Sequence, residues 1–290
     1  MQPLQPVKTV GIITKPHSER ARAVLPELLE WLQARGIEAR CDQETAGYLS
    51  GVRGLPRDEV PEGTQLVILL GGDGTLLSAA RAIGGRNIPL FPVNLGGLGF
   101  LTAIPLEDLF PELERALRGE QRISRRMKLR CELRRAGRIV SQYEALNDIV
   151  VDKADIARMI DIEARVDDQL VCLYKADGLI VATPTGSTAY SLAAGGPIIF
   201  PTVGAIAITP ICPHMLTNRP VIVPEHSVIT LISHARDEAS YLTVDGQVGE
   251  PLHHEDVIIC RRSPHELCLI RPPRLKFFDV LRLKLKWGER

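Results

Sequence analysis

The architecture of this chain is most clearly indicated by the segment Gln65-Leu66-Val67-Ile68-Leu69-Leu70-Gly71-Gly72-Asp73-Gly74-Thr75-Leu76-Leu77. It begins with mostly apolar, β-prone residues and runs directly into glycines, so we predict a buried strand that ends in a tight turn. Good helix formers without glycine or proline follow over 78–83, so the turn is predicted to open a helix. Proteins of the α/β class bind their ligands at such strand-to-helix turns.

The residue types in this turn indicate phosphoryl transfer. Glycine lacks a Cβ, so Gly71, Gly72 and Gly74 let a polyanion approach the main-chain N–H groups. Asp73 suits a carboxylate that organises Mg²⁺ or accepts a proton from an attacking hydroxyl. The pattern alone leaves open a second interpretation, in which Asp73 only caps the helix. No Gly-Lys-Ser/Thr follows, and the spacing is not G-x-G-x-x-G, so the Walker A loop and the dinucleotide fingerprint are excluded.

The composition describes a globular chain without an overall charge. The 290 residues are 45% hydrophobic and 24% charged, which allows a large core and two domains. Lys+Arg and Asp+Glu are equal at 35 each, so we expect neither nucleic acid nor membrane as a partner. The cysteines are scattered without metal-binding spacing, and no apolar run approaches the roughly 20 residues of a membrane helix. We therefore expect reduced thiols and a cytoplasmic protein.

Alternating β and α signals over the first 120 residues predict a doubly wound, mainly parallel sheet. A second strand candidate over 89–95 ends at Gly96-Gly97-Leu98-Gly99-Phe100, which would place two glycine-rich turns at one sheet edge as the floor of a nucleotide site. Residues 43–63 are rich in Gly, Pro and charge, and they predict a surface loop that could close over a ligand.

From Met127 onward the period of the pattern changes from helix to strand, which predicts an all-β second domain after a boundary near residue 120. Charged residues alternate with apolar ones from Lys128 to Arg134, and we interpret them as the solvated face of a strand. Residues 277–287 fit both a strand and a helix.

The segment His253-His254-Glu255-Asp256 has the residue types of a metal site. Adjacent side chains in a strand or turn point apart, however, and no further ligand stands at a matching spacing in the sequence. We therefore interpret the segment as a polar turn.

A second polar cluster follows a predicted strand and reads Thr183-Pro184-Thr185-Gly186-Ser187-Thr188-Ala189-Tyr190-Ser191. Its hydroxyls and the N–H groups of a helix start form a polar pocket for ribose, phosphate or an amide, and Tyr190 offers a face for a base. Helix capping alone would also explain Ser187 and Thr188.

These motifs together resemble those of bacterial NAD kinases, and the resemblance covers nearly the whole chain. The segments that carry it are Gly71-Gly72-Asp73-Gly74-Thr75, Leu146-Asn147-Asp148, Asp177-Gly178, the run from Thr183 to Ser191, Gly195-Gly196-Pro197 and Pro210-Ile211-Cys212-Pro213-His214. The first motif is shared with diacylglycerol and sphingosine kinases, whereas the Thr183 run together with Asn147 is much more specific. Two alternatives stay open: a lipid kinase, and a non-catalytic sensor of NAD or NADP.

The resemblance implies ATP-dependent phosphorylation of the adenosine ribose 2′-hydroxyl of NAD, with Mg²⁺ or a similar divalent ion; some members also accept polyphosphate. It implies an α/β domain over 1–120, joined by the C-terminal segment 272–290, and a β-rich NAD-binding and oligomerisation domain over 121–271. It also implies a homo-oligomer, either a tetramer or a dimer. A similarity to the terminal helix of the family favours a helix from Phe277.

The resemblance also implies roles for individual residues. Asp73 is implied as the general base, and Gly71, Gly72 and Thr75 as the turn that approaches phosphates. The implied NAD-binding residues are Asp73, Gly74, Asn147, Asp148, Arg158, Lys175, Asp177, Thr188, Ala189, Tyr190, Ser191, Leu192, Ala193 and Gln247. Asp148 stands where glutamate is commoner in the family, which shortens the reach of its carboxylate. No residue is assigned as a metal ligand.

Overall fold

The structure is a computed structural model, which describes residues 7–153, 159–234, 240–272 and 275–288. The chain divides into two compact units, Met1–Arg125 with Leu267–Arg290, and Arg126–Glu266. We call the first the α/β unit and the second the β-rich unit. No helix in the described ranges combines the length and the apolar character that a membrane span requires.

The elements up to residue 117 are β1 (Thr9–Thr14), α1 (Glu19–Gln33), β2 (Glu38–Cys41), α2 (Gln43–Ala46), β3 (Leu66–Gly71), α3 (Asp73–Ile83), β4 (Leu90–Asn94), β5 (Ile104–Pro105) and α4 (Leu109–Leu117). The later elements are β6 (Arg122–Arg135), β7 (Arg138–Ala145), β8 (Asp148–Lys153), β9 (Ile160–Val166), β10 (Gln169–Ala176), β11 (Gly178–Ala182), α5 (Tyr190–Ala193), β12 (Ala205–Ile211), β13 (Val221–Pro224), β14 (Ile229–Ser233), β15 (Ser240–Val244), β16 (Val248–Leu252), β17 (Val257–Arg271) and α6 (Phe277–Leu285). Two short 3-10 helices span Leu106–Asp108 and Gly186–Thr188.

The α/β unit contains a parallel sheet in the order β2, β1, β3, β4. The last part of β17 continues this sheet, because Leu269 lies beside Leu90 of β4 in parallel register. Every residue of β3 is buried, as its apolar run predicts for a central parallel strand. The predicted doubly wound α/β fold is confirmed.

The register of this sheet places the two glycine-rich turns at the same edge. Gly71 at the end of β3 pairs with Asn94 at the end of β4, so the segments that follow both strands begin side by side. A Cβ on Gly71 would lie 2.6 Å from the hydroxyl oxygen of Thr75. The turn therefore needs glycine at this position for α3 to start directly after the strand.

The β-rich unit contains two antiparallel arrangements of strands. One sheet has the order β13, β12, β11, β8, β15, β16, and the other joins β10, β9, β14 and the first part of β17. Side chains of both pack in one apolar cluster, for example Ile162, Val181, Leu231 and Leu242. The predicted all-β second domain is confirmed.

Residues 43–63, predicted as a surface loop, contain the short helix α2, and Val60 is fully buried. That the segment could close over a ligand stays a prediction. The guanidinium of Arg57 lies 2.7 Å from the carboxylate of Asp42 and donates to the hydroxyl of Ser78 at 2.9 Å. These contacts tie the segment to the α/β unit.

The interpretation of the charged residues of β6 as a solvated face is wrong for Lys128 and Glu132, which are both buried. The ammonium of Lys128 lies 3.1 Å from the carboxylate of Glu144. A buried cation requires such a partner, and strand period alone does not tell a solvated face from one that packs on other residues. The C-terminal segment, by contrast, forms the helix α6 from Phe277, as the resemblance implies.

Candidate active site

The carboxylate of Asp73 is held by the loop that follows β4. Its Oδ2 accepts a hydrogen bond from the N–H of Phe100 at 2.8 Å. Its Oδ1 accepts from the N–H groups of Leu101 and Thr102 at 3.1 and 3.0 Å, and from the Thr102 hydroxyl at 3.0 Å. Gly72 occupies the cap position of α3. Asp73 therefore does not serve as the helix cap, and four donors fix its carboxylate instead.

Two further residues make this loop geometry possible. A Cβ on Gly99 would lie 2.2 Å from both Asp73 Oδ1 and Thr102 Oγ1, so only glycine allows the loop to approach so closely. The side-chain amide of Asn94 donates to Thr102 Oγ1 at 2.7 Å. Because this oxygen accepts from Asn94, its own hydrogen is available for Asp73.

Arg271 contacts the carbonyl group of Phe100, whereas Asp73 contacts the N–H group of the same residue. Its side chain is 7% exposed, and Nη1 donates to the carbonyl oxygen of Phe100 at 3.3 Å. Burial lowers the pKa of the Arg271 guanidinium, the charge of Arg122 lowers it further, and the charge of Asp73 raises it. A buried cation thus supports the loop that holds Asp73.

A cavity of about 290 Å³ lies within the β-rich unit. The residues that line it are Asn147, Asp148, Val150, Asp152, Ala189, Tyr190, Thr243, Asp245 and Gly246. They come from three separate parts of the chain, which the pairing of β8 with β15 and the turn before α5 bring together. Four of the predicted NAD-binding residues therefore share one cavity, namely Asn147, Asp148, Ala189 and Tyr190.

Asp245 fixes the main chain of the Leu146-Asn147-Asp148 motif. Its carboxylate accepts hydrogen bonds from the N–H groups of Leu146 at 2.9 Å, Asn147 at 2.7 Å and Asp148 at 3.1 Å. Burial raises the pKa of the Asp148 carboxyl to about 7, and the charge of Asp245 adds to the effect. Near neutral pH, Asp148 can therefore act as a hydrogen-bond donor as well as an acceptor.

Tyr190 stands in acidic surroundings. Burial raises the pKa of its phenol, and the charges of Asp152, Cys212, Asp177 and Asp148 raise it further. Burial also raises the pKa of Asp152, and Asp177 contributes to that shift. The carboxylates near this ring create a negative potential, which favours a cationic group of a ligand.

Gly186 allows the Thr183 turn to pack against the Asn147 motif. A Cβ on Gly186 would lie 2.0 Å from the carbonyl oxygen of Asn147. The Thr183 N–H donates to the same oxygen at 2.9 Å, and the Thr183 hydroxyl donates to the carbonyl of Leu146 at 2.6 Å. The hydroxyl of Ser187 is also used internally, because it bonds Pro184 and Ile199. These hydroxyls hold the turn together, whereas the sequence suggested that they face a ligand.

The other predicted NAD-binding residues of this unit are not among the described residues that line the cavity. They are Lys175, Asp177, Thr188, Ser191, Leu192, Ala193 and Gln247. The carboxylate of Asp177 lies 2.7 Å from the ammonium of Lys153. The hydroxyl of Ser191 is fully buried, 2.9 Å from that of Thr209. Arg158 lies outside the described residues.

The cavity also contains residues that sequence reasoning missed, namely Val150, Asp152, Thr243, Asp245 and Gly246. Asp245 and Gly246 directly precede Gln247, which the resemblance implies as an NAD-binding residue. The sequence around Asp152 does not indicate a ligand-binding role, because a carboxylate at the end of a strand is usually interpreted as solvated.

Comparison with known proteins identifies the class. Residues 10–121 match the ATP-NAD kinase N-terminal domain, and residues 146–272 match the ATP-NAD kinase C-terminal domain. The fold is therefore that of a nucleotide kinase built from these two domains. The chain belongs to the NAD kinase family.

Curated relatives agree with this assignment over their full lengths. The chain is 64% identical to the NAD kinase of Solibacter usitatus, over 98% of this chain and 99% of the relative. It is 50% identical to the NAD kinase of Koribacter versatilis, over 98% of this chain and 100% of the relative. The predicted family is confirmed, and neither the lipid kinase nor the non-catalytic sensor finds support.

Two solved structures share the fold. The structure of yeast NADH kinase complexed with NADH has a TM-score of 0.92 and 26% identity, and the match covers 99% of this chain and 89% of that one. An NAD kinase from Archaeoglobus fulgidus in complex with ATP has a TM-score of 0.76 and 26% identity, covering 94% of this chain and 98% of that one.

Proposed function

We propose that the protein transfers the γ-phosphoryl group of ATP to the 2′-hydroxyl of the adenosine ribose of NAD, which gives NADP and ADP. Support comes from relatives named NAD kinase that align with almost the whole chain, and from the related structures in complex with NADH and ATP. The observation that carries the chemistry is the carboxylate of Asp73, which a loop fixes at the first residue of α3.

The hydrogen bonds of Asp73 distinguish its two oxygens. Each carboxylate oxygen has two lone pairs. Oδ1 accepts three hydrogen bonds, which leaves it no capacity, whereas Oδ2 accepts one, from the N–H of Phe100. We therefore assign Oδ2 as the atom that accepts the hydrogen of the ribose 2′-hydroxyl.

In the reaction, the ribose oxygen forms a bond to the γ-phosphorus while the bond from that phosphorus to the β,γ-bridging oxygen breaks. The hydroxyl proton passes to Asp73 Oδ2, and ADP leaves with the bridging oxygen. A positioned base of this kind contributes about 10²–10⁴-fold in rate. The N-terminus of α3, a helix of 11 residues, favours negative charge at the same turn.

We propose that a divalent cation such as Mg²⁺ arrives as part of the ATP substrate, where it neutralises phosphate charge. A metal ligand needs a free lone pair. Oδ1 of Asp73 already accepts three hydrogen bonds, so we assign the cation to the phosphates and not to this oxygen.

We propose that the cavity of the β-rich unit binds NAD. Asp148 can donate or accept a hydrogen bond near neutral pH, because its pKa is about 7, and this suits an amide or hydroxyl of the dinucleotide. The carboxylates around Tyr190 favour the positive charge that the nicotinamide ring of NAD carries. Lys175, Asp177, Thr188 and Gln247 stay predictions as NAD-binding residues.

We also propose a cytoplasmic homo-oligomer, either a dimer or a tetramer. The observation that supports assembly is the edge strand β10, where Leu170 is 60% exposed and Leu173 is 54% exposed. Exposed apolar side chains on an edge strand are typical of an interface. Size-exclusion chromatography with light scattering should show a smaller assembly for Leu173→Glu, and no change for the control Leu216→Glu, whose side chain is 89% exposed.

The test of the activity is incubation with ATP, Mg²⁺ and NAD, followed by detection of NADP with an NADP-specific dehydrogenase. Asp73→Asn should reduce turnover by about 10²–10⁴-fold and leave NAD binding in calorimetry nearly unchanged. Asp58→Asn, at an exposed position of the same unit, is the matched control. Full activity of a folded Asp73→Asn protein would remove this residue from the chemistry, and no NADP from the unmodified protein would disprove the proposed reaction.

A further inference from the structure

Two histidines and a glutamate come together at the surface of the β-rich unit. His234, His254 and Glu255 each offer one ligand atom, and these atoms lie within 4.8 Å of one another. None of the three lines the cavity described above. We propose that they bind a divalent transition-metal cation, and that Zn²⁺ is the cation they fit best, because imidazole nitrogen and carboxylate oxygen are its usual ligands outside cysteine sites.

The distances suit such an ion. His234 Nδ1 lies 2.9 Å from Glu255 Oε1, and His254 Nε2 lies 3.5 Å from the same oxygen. Zinc bonds of roughly 2.0–2.2 Å in tetrahedral geometry separate the ligand atoms by about 3.3 Å. The observed distances lie on both sides of this value, so small side-chain rotations bring the three atoms into coordination. The remaining coordination position is left to water.

The other nitrogen of His234 has a partner of its own. Its Nε2 lies 3.6 Å from Oε2 of Glu163. A carboxylate behind a ligating histidine fixes the ring and makes the ligating nitrogen more basic. Glu163 is itself held by Arg165, whose Nε donates to it at 2.6 Å, and this bond lowers the pKa of the Glu163 carboxyl.

Main-chain hydrogen bonds hold His234 and Glu255 in place. The N–H of His234 donates to the carbonyl of Asp161 at 3.0 Å, and the N–H of Glu255 donates to that of Ser233 at 2.8 Å. The next residue, Asp256, is fully buried, and its carboxylate lies 2.7 Å from Arg135. The turn that carries two of the ligands is therefore fixed, and a fixed set of ligands binds a metal with less loss of conformational freedom.

The sequence alone suggested a polar turn over 253–256, because no further metal ligand stands at a matching spacing; His234 is the ligand that the structure adds. His234 follows the end of β14, and the antiparallel pairing of Ile232 with Val257 brings it beside the His254-Glu255 turn. This pairing places a residue about 20 positions earlier in the chain next to the turn. The rival interpretation is that the three residues only contact one another, as His234 and His254 each contact Glu255, and bind no metal.

The test is titration of the purified full-length protein, stripped with a chelator and free of nucleotide, with Zn²⁺ in a calorimeter at pH 7.5. We expect one Zn²⁺ per chain, with affinity at least tenfold weaker in His234→Gln and in His254→Gln. The matched control is His265→Gln, because His265 also pairs with a glutamate, Glu144, at 2.8 Å but lies outside the cluster.

Two further measurements distinguish this site from zinc binding by a thiol. Co²⁺ should bind without a thiolate charge-transfer band, and Cys212→Ser, which removes an exposed thiol, should bind Zn²⁺ as well as the unmodified protein. Glu163→Gln should weaken binding by about 10–100-fold without removing a ligand. If His234→Gln does not fold, Glu255→Gln at the exposed turn replaces it. No stoichiometric binding, or equal binding by the cluster variants and the control, would overturn the proposal.

Discussion

The hydroxyl of Thr102 and the carboxylate of Asp73 form a hydrogen bond of 3.0 Å between residues that follow neighbouring strands. The Thr102 oxygen also accepts from Asn94, which directs its hydrogen to Asp73. The two glycine-rich turns therefore act together, because the second turn supplies the donors that orient the carboxylate of the first.

Gly99→Ala should reduce turnover while the protein stays folded. The added Cβ would lie 2.2 Å from Asp73 Oδ1, so the carboxylate or the loop must move. A misplacement of about 1 Å costs on the order of 10²-fold in rate. The measurement is kcat for NADP formation, with thermal unfolding to verify the fold. Gly249→Ala is the control, since its Cβ would meet nothing within 4 Å; equal kcat in both variants would contradict the role of the loop.

Asp148→Asn should change the pH dependence of stability. The pKa of Asp148 in the folded protein is raised from its ordinary value of 3.8 to about 7, so its stabilising contribution is fully present below about pH 4 and is lost as the pH rises through 7. A shift of this size corresponds to roughly 4 kcal/mol at most. The free energy of unfolding of the variant, relative to the unmodified protein, should therefore increase between pH 4 and pH 8.

Urea unfolding at several pH values measures this difference. Asp168→Asn is the control, because Asp168 is exposed in the same unit and has a positive φ that asparagine also tolerates. A difference between Asp148→Asn and the unmodified protein that stays constant with pH would show that the carboxyl does not titrate in this range.

Asp152→Asn should lower activity with NAD more than activity with NADH. Asp152 lines the cavity, and its charge raises the pKa of Tyr190. The oxidised nicotinamide ring is a cation and the reduced ring is neutral, so removal of one negative charge should lower kcat/KM for NAD by about tenfold, equivalent to about 1.4 kcal/mol, and leave NADH nearly unaffected. Steady-state kinetics with both dinucleotides test this, again against Asp168→Asn. Equal losses for NAD and NADH would indicate a steric role.

Gly186→Ala should both destabilise the protein and weaken NAD binding. Its Cβ would lie 2.0 Å from the carbonyl oxygen of Asn147, so the Asn147 main chain must shift. Overpacking of this kind costs about 1–3 kcal/mol. Gly249→Ala, whose Cβ meets nothing within 4 Å, should leave the melting temperature and the NAD affinity unchanged. If both variants have the same melting temperature, the close packing at Gly186 does not contribute to the stability of the protein.

The pattern of apolar and polar residues predicted those elements of the fold that form from one contiguous segment of the sequence. The apolar run before Gly71 predicted a central strand, and the change of period near Met127 predicted the β-rich part. Lys128 could not be placed in this way, because its burial depends on an ion pair with Glu144 of the neighbouring strand, which the alternation of β6 alone does not indicate. The helix from Phe277 needed the resemblance, since its apolar residues fit both periods.

The site was predictable to the extent that its residues lie in contiguous motifs. Asp73, Asn147 and Tyr190 stand within recognisable runs. Asp152 and Arg271 act through contacts between residues distant in the sequence, and each alone has the appearance of an ordinary charged residue on a strand. Such partners become visible only when the pairing of strands is known.

The bond from Arg271 to the carbonyl of Phe100 joins residues 171 positions apart. The pairing of Leu269 with Leu90 likewise requires the final strand. The loop around Asp73 therefore depends on a cation that lies far from it in the sequence. A chain that stops before residue 271 lacks this support, although it keeps every residue of the loop itself.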